Sequence, residues 1–188
     1  MPAAAPTALS VGGPAAATAG AARLFVALWP SAAFRRALRA WCGPVEGGGG
    51  CRPVAAAHWH LTLHFLGDVP RERVPQLRRE LRVPWQAFRL VFSHCERWPH
   101  GLLVLPPDAP PPALAHLHGA LREALQRAGL ATEDRPLRPH LTLARRHAGD
   151  LPQPGAAPLA WDVDACALVA SAAPRGGGYT VLESWPPT

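Results

Sequence analysis

The chain has 188 residues, 48% of them apolar, with 19 basic and 13 acidic side chains and a net charge of +6. That size suits one domain or two small lobes sharing a core. The four cysteines, Cys42, Cys51, Cys95 and Cys166, show no CxxC spacing, and no apolar run is as long as a membrane-spanning helix; a zinc ribbon, a thioredoxin-type redox centre and a helical membrane protein are set aside on those grounds.

Residues 1–21 form an Ala/Pro-rich stretch, and the first 20 residues carry no charged side chain. A secretory signal would need a basic start and a strongly apolar centre. The stretch is expected to be a disordered extension, with a single domain over residues 22–188. Free thiols in a reducing compartment place the protein in the cytoplasm. Leu24–Trp29 (LFVALW) reads as a buried strand. Pro30 and Ser31 then open a helix to about Trp41, with Ser31 as its cap. Gly47–Gly50 is expected to be a flexible loop.

Residues 58–66 (HWHLTLHFL) alternate polar and apolar, the period of a strand. Strict alternation puts His58, His60, Thr62 and His64 on one face and Trp59, Leu61, Leu63 and Phe65 on the other. Gly67-Asp68 is expected to end that strand and Val69–Leu81 to be a helix. Further strands are expected near Phe88–Cys95 and Leu102–Leu105. A long amphipathic helix is expected from Pro110–Pro112 to about Ala128. Residues 140–145 (HLTLAR) repeat the strand pattern, with His140, Thr142 and Ala144 on one face. Residues 147–160 read as a loop. Trp161–Ala173 and Tyr179–Trp185 read as two last strands joined at Gly176–Gly178.

The tetrapeptide HLTL occurs at His60–Leu63 and again at His140–Leu143; this composition would supply about 0.006 copies by chance, so an internal repeat is the natural explanation. In a strand, residues i and i+2 point the same way, so each histidine has a threonine hydroxyl beside it. Two such strands facing each other bring two imidazoles and two hydroxyls into one cleft. Cleaving a phosphate ester needs one group to take a proton from the nucleophile and another to give one to the leaving oxygen. Imidazole can do either near neutral pH. The hydroxyls can hydrogen-bond the non-bridging oxygens, and neither a metal nor another cofactor is required.

With its two His-x-Thr motifs about eighty residues apart, the chain resembles the 2H phosphoesterases. More narrowly it resembles the RNA 2′,3′-cyclic phosphodiesterases, also called 2′-5′ RNA ligases. Supporting stretches are Arg23–Leu28, Arg52-Pro53-Val54, His60–Gly67, Arg138–Arg145 and Tyr179–Trp185. The resemblance implies an α+β bilobal, pseudo-symmetric fold: two small antiparallel sheets flanked by helices, with the motifs facing across a central cleft. It assigns catalysis to His60 and His140 and phosphate contacts to Thr62 and Thr142. Arg145 matches an arginine that can pair with a phosphate, and Phe25 an aromatic that could stack on a terminal base. The implied substrate is an RNA end or nucleotide carrying a 2′,3′-cyclic phosphate, opened to a 2′-phosphomonoester by a monomeric enzyme, with 2′-5′ ligation as the reverse.

Blander readings stand beside these. Phe25 could be core packing and Arg145 a surface ion pair. His58 and His60 form an HxH pair that could hold zinc with His64 or His140. His116 and His118 read as helix-surface residues. At the level of function, the alternatives are a non-catalytic nucleotide- or RNA-binding module, which would not need two complete His-Thr pairs, and a related 2H enzyme acting on small cyclic nucleotides.

Overall fold

A computed structural model describes residues 20–45, 48–172 and 178–188. Most of the extension expected over residues 1–21 lies outside the described residues, as do parts of the expected Gly47–Gly50 loop and Gly176–Gly178 turn. The first strand, β1, runs Ala21–Leu28 and is buried without a break from Leu24 onward. Helix α1 spans Ala32–Cys42, and the Ser31 hydroxyl accepts the Phe34 N–H at 3.2 Å. It buries Phe34, Leu38 and Cys42, a three-to-four-residue stripe. A tight turn then feeds the two-residue strand β2, Arg52–Pro53.

The first motif enters β3, Leu61–Pro70. The strand expected over residues 58–66 begins three residues later, after a 3-10 turn at Ala56–His58, and runs four residues further. Gly67 adopts φ 71°, which only glycine takes at little cost, so the chain bulges there and continues. The helix expected from Val69 is correspondingly shorter: a 3-10 turn at Arg71–Arg73 precedes α2 at Val74–Glu80. Strands β4 (Phe88–Phe92), β5 (Glu96–Trp98) and β6 (Leu102–Leu105) follow. Helix α3, Pro112–Arg127, buries Leu114, Leu117, Leu121, Ala124 and Leu125 on one face. The second motif enters β7, Leu141–Arg145. The single strand expected over Trp161–Ala173 is two: β8 (Leu159–Val163) pairs with β4, and β9 (Cys166–Ser171) pairs with β1. The chain changes sheets between them. Tyr179–Trp185 is β10.

All pairings are antiparallel, in the order β10-β9-β1-β3-β7-β6-β5, with β2 also beside β7. Within the sheet, the half holding the first motif is paired with the half holding the second at one position among the described residues, Leu61↔Leu141. The β4–β8 ribbon stands apart and closes over α1, where Phe34 stacks on Trp161 at 5.0 Å. One face of the eight-stranded sheet packs on the helices and the ribbon through the main core. The other face is floored by Phe25, Ala27, Ala167 and Val169, a small separate cluster with Trp29 and Tyr179 packed against it.

Candidate active site

Each motif histidine stands one residue before its strand begins. The Nδ1–H of His60 donates to the His58 carbonyl at 2.6 Å, and the Nδ1–H of His140 donates to the Arg138 carbonyl at 2.7 Å. A carbonyl can only accept, so both rings carry their proton on Nδ1 and turn Nε2 outward as a base. The two arrangements repeat: a carbonyl two residues upstream, a histidine, a buried leucine, a half-buried threonine.

The register explains how the two copies meet. Leu61 and Leu141 are partners and both point into the core. Extending that pairing by one residue either way sets His60 opposite Thr142 and Thr62 opposite His140. A two-fold axis through the leucine pair therefore exchanges the motifs, and all four polar side chains share the opposite face. Ala27, the partner of Thr62 on β1, lies in the cleft-side cluster, which identifies that face as the cleft.

Aromatic rings wall His60. Phe25 lies 4.9 Å from its centroid, Tyr179 approaches edge-on at 5.1 Å, and Trp29 stacks at 5.7 Å with 19° between planes. The Arg35 guanidinium lies over the Trp29 ring at 5.0 Å and donates to the Trp59 carbonyl at 3.2 Å, fixing the backbone just before His60. His140 leans on Trp98 at 4.6 Å, and the Arg138 guanidinium lies over the same indole at 4.1 Å.

These surroundings set the proton affinities. Burial, helped by the charges of His140 and Arg35 and opposed by the His58 carbonyl, brings the His60 imidazolium down to about 4. Burial also lowers His140, assisted by the charges of Arg138, Arg135 and Arg145 and opposed by the Arg138 carbonyl. The His140 charge reaches His60, which places the two rings in one electrostatic environment.

The strand does not alternate strictly beyond the threonines. On β1, Ala27 pairs with Thr62 but Val26 pairs with His64, so Leu63 is extra. On β6, Val104 pairs with Thr142 but Leu103 pairs with Ala144, so Leu143 is extra. Each bulge inverts the faces after it, and both strands show the same burial sequence: buried, half-buried, buried, buried, exposed. The expectation that His64 shares the His60 face is thus corrected. His64 is buried behind the sheet, stacked on His118 at 4.1 Å, with its Nε2 2.9 Å from the His118 carbonyl. It cannot join His58 and His60 around a metal, and among the described residues no group of three His, Cys, Asp or Glu side chains could hold one. His118 correspondingly packs inward instead of lying on the helix surface. Phe65, expected in the core, emerges on the cleft side with 52% exposure, 6.2 Å from Phe25. Arg145 occupies the equivalent place on β7 and is exposed. Phe25 itself is 3% exposed, covered by His60, Phe65 and Tyr179.

Trp29, Arg35, Phe65, Trp98, Arg138 and Tyr179 were not legible as site residues in the sequence. Trp29 had a signal, because period two in β1 places it with Phe25 and Ala27. Trp98 had none, since the β5–β6–β7 pairing that brings it to His140 is long-range.

Two half-sheets that meet at one leucine pair and offer a His-Thr pair each to one cleft define a two-histidine phosphoesterase. The chain belongs to the 2′-5′ RNA ligase superfamily, whose family model matches residues 28–173. It is 35% identical over 175 residues to the RNA 2′,3′-cyclic phosphodiesterase of Escherichia coli, covering 87% of this chain and 95% of that one. It is 36% identical over 184 residues to the protein of the same name from Thermus thermophilus, covering 87% and 89%. A crystal structure of Escherichia coli LigT complexed with 3′-AMP superposes with a TM-score of 0.74 at 34% identity, covering 89% of this chain and 99% of that one.

Proposed function

We propose that this chain is a phosphodiesterase that opens 2′,3′-cyclic phosphates at RNA ends to 2′-phosphomonoesters, with His60 and His140 as its acid–base pair. The single observation that carries this is the two-fold repetition of a histidine with its Nε2 turned outward beside a threonine, both copies on one cleft face. One neutral imidazole takes a proton from water as its oxygen bonds to phosphorus. The other, protonated once the phosphate anion lies beside it, gives its proton to the 3′ oxygen as that bond breaks. The same pair run backwards joins a 5′ hydroxyl to the cyclic phosphate as a 2′-5′ linkage. Thr62 and Thr142 donate to the non-bridging oxygens, and Arg145 supplies a charged donor to a phosphate. Phe65 presents the exposed ring for a terminal base, with Phe25 supporting it from below. Both motifs come from one chain, which supports action as a monomer, and we read its four free thiols as those of a cytoplasmic protein.

The test is turnover of a cyclic-phosphate-ended oligonucleotide and of 2′,3′-cyclic mononucleotides, with and without excess EDTA. The expected result is a 2′-phosphate product in both media. Full loss on chelation, restored by zinc, would defeat the two-imidazole mechanism; a 3′-phosphate product would defeat the assignment of the leaving oxygen.

A further inference from the structure

Arg52 belongs to a sequence stretch that the chemistry above leaves without a role. Its backbone is held from both sides. The Gly48–Cys51 turn closes with Cys51 N–H donating to Gly48 C=O at 3.2 Å, and Val54 N–H donates to Leu143 C=O at 2.8 Å. These bonds lay the two-residue strand β2 along the end of β7, where Arg52 is the direct cross-strand partner of Arg145. Neighbours across an antiparallel pair point to the same side, so the two arginine side chains leave the same side of the sheet. Both are exposed, and among the described residues neither has a carboxylate partner. Elsewhere this chain neutralises cross-strand arginine: Arg89, opposite Asp162, pairs with it at 2.6 Å. Like charges directly opposite each other cost stability, and an anion between them removes the cost.

The bulge at Leu143 turns Arg145 to the His140 side, and the Arg145 charge is felt at His140. Arg145 lies three residues beyond Thr142, at most about 10 Å of strand. That is a displacement comparable to one nucleotide. We infer that Arg52 and Arg145 form a second anion subsite, which takes the phosphodiester one nucleotide upstream of the cyclic phosphate. The inference rests on the phosphodiesterase reading, and it gives that site a preference for RNA ends over mononucleotides. Guanidinium suits the task because its planar donors match two phosphate oxygens at once and stay charged at all working pH.

The experiment compares kcat/KM for three substrates on the full chain: a 2′,3′-cyclic mononucleotide, a dinucleotide ending in a cyclic phosphate, and the same dinucleotide with a neutral methylphosphonate linkage. Wild type should prefer the natural dinucleotide over the neutral one by about ten-fold, the worth of a charge-assisted contact. Arg52→Gln should remove most of that preference, and Arg52→Lys should restore part of it. An unchanged ratio in Arg52→Gln overturns the subsite, as does equal turnover of the charged and neutral dinucleotides by wild type, a comparison that needs no variant to fold. Failure to turn over any of the three would instead count against the phosphodiesterase reading itself.

Discussion

His60 and His140 are held alike, each by a carbonyl two residues upstream, and that likeness fixes what substitution should do. Replacing either by alanine should lower kcat by about 10²–10⁴-fold, the usual worth of a positioned acid or base. Thr62→Ala and Thr142→Ala should cost up to about ten-fold, since each removes one hydrogen bond. His58→Ala should be milder, because His58 serves His60 through a backbone carbonyl that alanine retains. The double variant should fall well short of the product of the single losses, because acid and base act in one step. A His58→Ala variant less active than His60→Ala would mean that the motif register is wrong. The pH dependence follows from the depressed affinities. Both imidazoles lose their proton more easily than in water, chiefly through burial. The protonated partner is therefore scarce in the free protein at neutral pH, and kcat/KM should be bell-shaped with its optimum below about 6.5, the ordinary value for histidine. The profile of kcat should lie at higher pH, since bound phosphate favours the imidazolium. Arg35→Met removes one of the charges pushing His60 down, so the His60 titration followed by NMR should move upward. A kcat/KM optimum above about pH 7.5 in wild type would show that burial does not govern these groups.

At the scale of elements, the parts fixed by local chemistry were legible in the sequence and the parts fixed by pairing were not. Ser31, the Pro112 start and the Gly129 stop mark helices α1 and α3, and the HLTL repeat marks both motif-bearing strands. Strict alternation carried the reading as far as Thr62 and Thr142 and then misplaced His64 and Phe65, because one residue of each strand is spent on a bulge against its neighbour. Nothing local signals a bulge at Leu63; only comparison of the two copies does, since Ala144 and Arg145 show the same inversion. The break between β8 and β9 was hidden for a related reason: the strand changes partner, not composition. The misplaced His64 has a consequence of its own. His64 and His118 are stacked behind the sheet, and burial lowers both, His118 to about 4. Arg122 pushes both down as well, while Glu133 pulls His64 up. A lowered folded-state affinity means that the unfolded chain binds more protons, so stability rises with pH. The contribution is complete above about 6.5 and is lost as pH falls from there towards about 4. His60 and His140 act in the same direction, so the pair is isolated by substitution. His118→Phe keeps a ring against His64 but removes one titrating group, and should flatten the fall in urea-unfolding free energy between about pH 6.5 and 4.5 by up to about one proton's worth. An unchanged slope would mean that His118 is not held neutral by the fold.

At the scale of the molecule, charge and topology act together. The net charge of +6 is carried wholly by arginine on the basic side. Arg89, Arg122 and Arg127 are paired with carboxylates, and Arg135, whose charge also reaches His140, is paired with Glu133. Arg138 and Arg145, whose charges are felt at His140, have no carboxylate partner among the described residues. Part of the unpaired positive charge, that of Arg52, Arg138 and Arg145, thus stands beside the second motif. Such a distribution draws in a polyanion and makes its binding dependent on salt, because each phosphate neutralised releases counterions. For a single strand, the logarithm of affinity falls with the logarithm of salt by roughly 0.7 per phosphate contacted. A cyclic mononucleotide offers one phosphate and should show a slope near that value. An oligonucleotide of several residues with a cyclic end, reaching Arg145 and its neighbours, should show a slope two to three times steeper, about 1.5–2. The measurement is the dissociation constant of each ligand for the strongly slowed His60→Ala protein, titrated from low to moderate sodium chloride. That variant leaves every arginine in place and slows turnover during the titration. Equal slopes for the two ligands would mean that the RNA body does not lie along the arginines, and that the surface charge serves approach to the cleft but not the bound state.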